Sequence, residues 1–238
     1  MRKFLIVAIA ALASIALATV AVAQSATAPE VDINTTPTKA GTKKKPKNVK
    51  LKLFVKNNRT DGTVDKITVS VDKNVKLSGK GFKFCSASTI NNQGQAACPK
   101  GSKAGSGVAH AAAGPGRLRT TLTVDAYVGS KSSIIFYVQL GTIRKALTGK
   151  ISKASGKFGQ KITIPIDPDL QQPSTGVYSG LLDLETTITG KRGKNYLVST
   201  VGCAKKKQNY AVKLDFKANP SFPATGSESG TGTSKCSK

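Results

Sequence analysis

The sequence contains no tryptophan, and its 238 residues include one histidine, one methionine and only twelve acidic residues. Aromatic residues make up 5% of the chain, and several of them lie in apolar, strand-like segments. Stacking of bases or sugars on exposed aromatic side chains is therefore not expected. Because His110 is the only imidazole, a catalytic triad would depend on this residue alone. A zinc site would lack both CxxC spacing and neighbouring histidines. We expect no metal and no cofactor.

Outside the N-terminus there is no long hydrophobic run. At the N-terminus, Arg2 and Lys3 precede an uncharged segment over residues 4–22, and Ala21 and Ala23 form an A-x-A pattern. This combination is typical of a secretory signal peptide over residues 1–23. The alternative is a membrane anchor, for which the segment is about long enough, but its Ala/Thr content and the A-x-A ending favour cleavage. We expect an exported chain that begins near Gln24, either extracellular or associated with the cell envelope.

Four cysteines are present, an even number that suits paired disulfides in an oxidising compartment. Four cysteines allow three pairings. We expect Cys85–Cys98 to close a polar local loop, and Cys203–Cys236 to hold the C-terminal tail.

Acidic residues are outnumbered three to one by 37 Lys and Arg, which gives a formal net charge of +25. Such a charge favours anionic partners through steering and counterion release, although it can also serve solubility. The basic residues Lys43, Lys44, Lys45 and Lys47 end a Thr/Pro/Lys-rich segment without apolar periodicity. We interpret residues 24–48 as a flexible spacer and these four lysines as candidates for polyanion binding.

After this segment the apolar residues recur with period two. Val, Ile and Thr alternate with polar residues in many short stretches that Gly, Asn, Pro and Ser separate, which is typical of β-strands. The stretch "SSIIFYVQL" (132–140) is more continuously apolar than the others and predicts a central strand covered on both faces. We expect an all-β fold, an antiparallel β-sandwich of immunoglobulin-like character over residues 49–218. A Gly/Ser-rich tail, residues 219–238, follows it and is tied by Cys236.

Two pairs of carboxylates are candidates for chemistry. Asp183 and Glu185 lie two apart on one predicted strand and therefore share a face, as an acid–base pair in a glycosidase could. Their neighbours Leu182 and Leu184 place them on the solvent side. Asp167 and Asp169 lie in a predicted loop and alone supply too few ligands for calcium.

Several motifs together resemble a group of exported β-proteins of high-GC actinobacteria. They are "FCSAST…ACPKGSKAGSGVA" (84–109), "VDAYVG" (124–129), "IPIDPDLQQPSTGV" (164–177) and "YLVSTVGC…VKLDF" (196–216), with a closing "KCSK". The resemblance covers most of the chain after the leader and implies the same two cysteine pairs. It brings no catalytic residues.

These observations favour a secreted, non-enzymatic protein of the cell envelope that binds anionic polymers or a membrane surface through distributed positive charge. Specific nucleic-acid binding is not expected. Two alternatives stay open: an envelope glycan hydrolase that uses Asp183 and Glu185, and an inert structural module whose charge serves solubility.

Overall fold

The computed structural model describes residues 27–114 and 116–238, so the predicted signal peptide over residues 1–23 lies outside the described part. Nearly all regular structure is β. The strands are β1 (Glu30–Thr36), β2 (Lys47–Asn48), β3 (Lys50–Lys56), β4 (Thr63–Asp72), β5 (Val75–Leu77), β6 (Lys103–Ala113), β7 (Leu118–Ser130), β8 (Ser133–Leu140), β9 (Ile143–Lys153), β10 (Phe158–Pro165), β11 (Ser179–Ile188), β12 (Lys191–Arg192), β13 (Asn195–Tyr196), β14 (Val198–Thr200), β15 (Lys207–Lys217) and β16 (Gly226–Lys235). Two short α-helices, α1 (Ala87–Gln93) and α2 (Pro168–Gln171), and a 3-10 turn, Gln95–Ala97, complete the structure.

Eleven strands form one antiparallel sheet in the order β1-β3-β11-β6-β7-β8-β9-β10-β4-β15-β16. The sheet curls until its two edge strands face each other, which makes it a nearly closed, barrel-like sheet. The predicted all-β antiparallel fold is confirmed. Its opposing walls pack across a common core, as two sheets do in a sandwich, but the strands continue from one wall to the next.

The two edge strands meet at a seam with few direct hydrogen bonds. Because strand direction alternates and the number of strands is odd, β1 and β16 run parallel at this seam. The Thr35 backbone N–H donates to the Ser234 hydroxyl at 3.0 Å. Gly230 packs so closely on β1 that a Cβ atom there would lie 2.0 Å from the Pro29 carbonyl oxygen. Glycine is therefore required for this approach.

Alternate residues of the long strands point inward and form the main core. β8 is covered on both faces, as its continuously apolar sequence predicts. Its inward residues Ile134, Phe136 and Val138 join the main core, while Ile135 and Tyr137 pack outside against the loop that carries Cys85 and α1. The Ser86 side chain caps α1 by accepting from the Thr89 backbone N–H.

Both predicted disulfides are confirmed. Cys85–Cys98 ties the α1 loop over a separation of 13 residues, and Cys203–Cys236 joins the segment before β15 to the end of β16 over 33 residues. Each bond restricts the unfolded chain by closing a loop. Disulfides are typical of proteins in oxidising compartments.

The two ends of the barrel differ. At one end, called the stapled end, Cys203–Cys236 and the three-stranded sheet β2-β14-β5 cover the core with buried apolar side chains. These side chains are Val49, Val75, Leu77, Leu197 and Val198. At the other, called the α2 end, the cover is α2 and the loops beside it.

The prediction of a flexible spacer over residues 24–48 is wrong for the part described, since β1 occupies residues 30–36 and pairs along its whole length with β3. Ile33 is completely buried there. The C-terminal tail is held by Cys236 as predicted, but it is also a full strand, β16, which pairs with β15 from Phe216 to Lys207. The β-domain therefore extends beyond residues 49–218 at both ends. Over residues 27–114 and 116–238, no helix is long and apolar enough to cross a membrane.

Candidate anionic-polymer surface

Three lysine-bearing segments converge at the stapled end. The first is the loop from β1 to β2, the second is the turn before β15, and the third is the end of β16. We call eight of their side chains the lysine surface: Lys43, Lys44, Lys45, Lys47, Lys205, Lys206, Lys207 and Lys235. All are exposed except Lys47, which is half-buried. The four lysines predicted for polyanion binding are thus joined by four others.

Backbone contacts fix these segments to one another. Lys47 pairs with Thr200 of β14, and the Thr200 hydroxyl accepts from the Gly41 N–H at 3.3 Å. Lys207 pairs with Lys235 across β15 and β16. The Cys236 N–H donates to the Lys206 carbonyl at 3.0 Å, beside the disulfide. The lysine surface is therefore part of the rigid framework of the barrel.

The turn at Lys205 and Lys206 has an unusual backbone. Their φ angles are 54° and 57°, and the Lys207 N–H donates to the Ala204 carbonyl at 3.2 Å. Two successive left-handed residues are the pattern of a type I′ turn, for which Asn-Gly is the preferred sequence. For residues with a Cβ, the left-handed conformation costs roughly 1–2 kcal/mol each. The chain therefore places two lysines where an uncharged pair would fit with less strain.

Acidic residues are concentrated elsewhere. Toward the α2 end lie Glu30, Asp61, Asp65, Asp167, Asp169, Asp215 and Glu228. Most of these are in ion pairs with nearby Lys or Arg. None of the eight members of the lysine surface has a carboxylate partner within the described ranges. Ion pairs therefore compensate much of the positive charge toward the α2 end, whereas they compensate none of the eight ammonium groups of the lysine surface.

Asp183 and Glu185 lie on one outward face of β11, as predicted. His110 Nδ1 is 2.5 Å from Asp183 Oδ1, and Arg119 Nη2 donates to Asp183 Oδ2 at 3.0 Å. Lys52 Nζ donates to Glu185 Oε1 at 2.7 Å, and this hydrogen bond raises the pKa of the Lys52 ammonium. Both carboxylates are therefore engaged by basic side chains on the outer wall, and neither lines a cavity found in the described structure.

Asp167 and Asp169 have structural roles around α2. The Asp167 side chain caps the helix by accepting from the Asp169 N–H at 2.9 Å. The Lys145 ammonium contacts both carboxylates, and its hydrogen bond with Asp169 raises the pKa of Lys145. A cation thus already occupies the place that a calcium ion would need. Within the described residues, no group of three or more His, Cys, Asp or Glu could hold a metal ion.

An apolar cavity of about 130 Å³ lies inside the barrel. Nearly all of the side chains around it are aliphatic, and Phe136 is the one aromatic among those that line it. A second, more polar pocket of about 290 Å³ lies outside α2 and includes Tyr178 and Lys217. Gln171 of α2 lines both. Strand alternation predicts inward apolar residues, but nothing in the sequence indicates that the sheet closes around unfilled space.

Comparisons with protein-family models, with curated proteins and with solved structures find no match. The resemblance to exported actinobacterial proteins therefore stays a prediction.

Proposed function

We propose that this is an exported, non-enzymatic protein that attaches to anionic polymers of the cell envelope through the lysine surface. The two disulfides support an oxidising compartment, and the net charge of +25 supports an anionic partner. We assign the contact to the lysine surface because three segments of the chain bring its eight ammonium groups to one end of the barrel, where none of them has an ion pair.

The observation that carries this proposal is the Lys205–Lys206 turn. Strained backbone persists where the surrounding structure enforces it, and it is frequent at functional sites. Here the strain holds two ammonium groups beside Lys207 and Lys235 without a counter-ion. If solubility alone were required, lysines on any exposed strand would serve at no backbone cost.

The test is co-sedimentation of the oxidised chain from Gln24 onward with purified cell envelopes across a salt series. This chain retains every described residue. We expect strong binding at low salt, with the logarithm of the binding constant falling linearly with the logarithm of salt concentration. Each lysine that releases a counterion contributes roughly 0.7–0.9 to the slope if the polymer behaves like a nucleic acid.

The decisive variant is Lys205→Asn combined with Lys206→Gly. It should raise the free energy of unfolding by roughly 1–2 kcal/mol, because strain is relieved. It should also weaken envelope binding and reduce the salt slope. Its matched control, Lys150→Gln with Lys161→Gln on β9 and β10, removes the same charge from the barrel wall and should retain the slope. Equal losses in both variants would indicate a nonspecific charge effect, and absence of binding at any salt would refute the proposal.

A glycan hydrolase that uses Asp183 and Glu185 has less support, because His110, Arg119 and Lys52 hold these acids on the outer wall. Turnover of envelope glycan that Glu185→Gln abolishes would favour the hydrolase instead. An inert module would show neither turnover nor salt-dependent binding.

A further inference from the structure

The residues that line the apolar cavity span most of the length of the barrel. On β4 its lining runs from Thr63 at the α2 end to Val71 toward the stapled end. Eight residue steps cover about 27 Å along a β-strand, and roughly 20 Å along the axis of a barrel whose strands have the usual tilt. On β11 the lining likewise extends from Ser179 to Ile188. Space of this shape can accommodate a linear hydrocarbon chain better than a compact molecule.

Protein interiors are normally packed without voids of this size, and an apolar cavity excludes water. Alanines on the wall, Ala109 and Ala111, leave space that a larger aliphatic residue would fill. An apolar ligand that enters this cavity would therefore be buried without displacing water from polar groups of the protein. Small-molecule sites are usually apolar cavities of this kind.

Polarity is confined mostly to one end of this cavity. Thr63, Gln171 and Ser179 line it at the α2 end. Their donors are already used: the Thr63 hydroxyl donates to the Ser179 carbonyl at 2.9 Å, the Ser179 hydroxyl donates to the Leu170 carbonyl, and the Gln171 amide donates to the Ile166 carbonyl at 3.2 Å. These three residues form a polar rim between the cavity and the outer pocket. Their hydrogen-bond donors are all used, and none of them is charged.

The pocket beyond this rim carries donors without partners. Lys217, at the end of β15, has no ion pair in the described part of the chain. The Tyr178 hydroxyl has no hydrogen bond there either. Both line the outer pocket together with Gln171. A negatively charged group in this pocket would gain an ammonium and a hydroxyl donor.

We propose that the barrel binds a single-chain anionic amphiphile, with its hydrocarbon chain in the apolar cavity and its head group in the outer pocket at Lys217 and Tyr178. α2 lies between the two and must shift at Gln171 to admit the chain. A free fatty acid and a lysolipid with an anionic head share this chemistry. The site is at the opposite end from the lysine surface and does not depend on polymer binding.

The test uses the oxidised chain from Gln24 onward with the fluorescent fatty acid cis-parinaric acid below its micellar concentration. We expect saturable binding at one site and displacement by dodecanoate. Competition with dodecanoate and with lauroyl lysophosphatidylglycerol distinguishes a fatty acid from a lysolipid as the ligand. The competitor that displaces the probe at lower concentration identifies the preferred head group.

Variants locate the ligand. Ala111→Leu fills the cavity and should lower affinity by about tenfold or more without lowering the unfolding temperature. Ala211→Leu adds the same side chain on the outer face of β15 and should leave binding unchanged. If Ala111→Leu does not fold, Ala109→Val supplies a smaller filling change with the same expected direction.

The head-group contact has its own pair of variants. Lys217→Gln should weaken dodecanoate binding roughly two- to fivefold, as for an exposed ion pair, and leave binding of dodecanol unchanged. Lys207→Gln, at the opposite end of the same strand, is the control and should leave dodecanoate binding unchanged. Absence of saturable binding would overturn the proposal. So would a folded Ala111→Leu variant that binds as the parent does, or binding that is lost in the Lys205→Asn, Lys206→Gly variant.

Discussion

At the scale of single residues, a buried polar cluster joins β15 to the seam. Tyr210 is completely buried, and its hydroxyl donates to Gln208 Oε1 at 3.0 Å. The Thr35 hydroxyl of β1 donates to the same oxygen at 3.4 Å. Burial and the nearby Asp72 carboxylate raise the pKa of Tyr210. The cluster therefore stabilises the seam only while Tyr210 keeps its proton.

This cluster makes stability sensitive to alkaline pH. Because the folded pKa of Tyr210 exceeds its unfolded value of about 10, its contribution is complete below that pH and is lost as pH rises toward the folded pKa. We expect Tyr210→Phe to reduce the alkaline fall in the free energy of unfolding by up to about 1.4 kcal/mol per pH unit. Chemical denaturation at a series of pH values measures this slope.

The control for that experiment is Tyr196→Phe, in the β12–β13 hairpin, where the ring is half-buried. The alkaline slope of this variant should match the parent. An unchanged slope in Tyr210→Phe would show that other groups cause the alkaline loss of stability.

At the scale of elements, the two edge strands are unusual in composition. β16 reads GSESGTGTSK and contains no large apolar residue, yet it pairs with β15 over ten residues. β1 contributes one fully buried aliphatic side chain, Ile33, to the core. Both strands are held mainly by backbone pairing, by the close glycine contacts at the seam and by Cys203–Cys236.

Ile33 therefore has a measurable role as an anchor. We expect Ile33→Ala to lower the free energy of unfolding by about 2–5 kcal/mol, because a fully buried aliphatic side chain is lost. Denaturant titration of the oxidised protein measures the change. Asn34→Ala, an exposed neighbour on the opposite face of β1, should change stability by less than about 0.5 kcal/mol. Equal small effects would mean that β1 is not integrated into the sheet.

These strands also show where sequence patterns lose predictive value. The long strands and the doubly covered β8 follow from apolar period and β-branched composition, and the cysteine pairs follow from their positions. β1 and β16 do not, because their stability comes from partners distant in the sequence and from glycines that permit close approach. α1 was missed for a related reason: of its residues only Ile90 is buried, so no helical stripe exists to detect. The sequence predicts only half of the lysine surface. Lys205–Lys207 and Lys235 are distant from Lys43–Lys47 in the sequence and lie at the same end of the barrel only because of the fold.

At the scale of the whole molecule, charge is arranged asymmetrically. Ion pairs compensate much of the positive charge toward the α2 end, while in the described part of the chain no carboxylate forms an ion pair with the lysine surface. Like charges at close range destabilise the compact state, and salt screens them. The protein should therefore be under electrostatic stress at the stapled end when no polyanion is bound.

This stress should appear as a salt-dependent melting temperature. We expect the unfolding temperature to rise as sodium chloride increases from low to physiological concentration, because screening relieves repulsion among the lysines. Polyphosphate should produce a larger rise at equal ionic strength by binding the folded state. Differential scanning fluorimetry measures both.

The quadruple variant Lys43→Gln, Lys44→Gln, Lys45→Gln, Lys47→Gln should show a smaller salt effect. The control removes the same four charges from the barrel wall and the α2 end, by Arg144→Gln, Lys150→Gln, Lys161→Gln and Lys217→Gln. It should retain more of the salt effect than the first variant does. The same salt dependence in both quadruple variants would contradict a localised stress.

The seam has a consequence for the order in which the protein can be made. The chain emerges from the ribosome with its N-terminal part first, yet β1 faces β16, which begins 196 residues after Glu30. β4 likewise cannot pair until both of its neighbours, β10 and β15, have been synthesised. The barrel can close, and the Cys203–Cys236 disulfide can form, only when nearly the whole described chain has been synthesised. Such distant pairings are slow to form, and this delay would suit the export that we propose, because a chain that has not yet folded can be translocated.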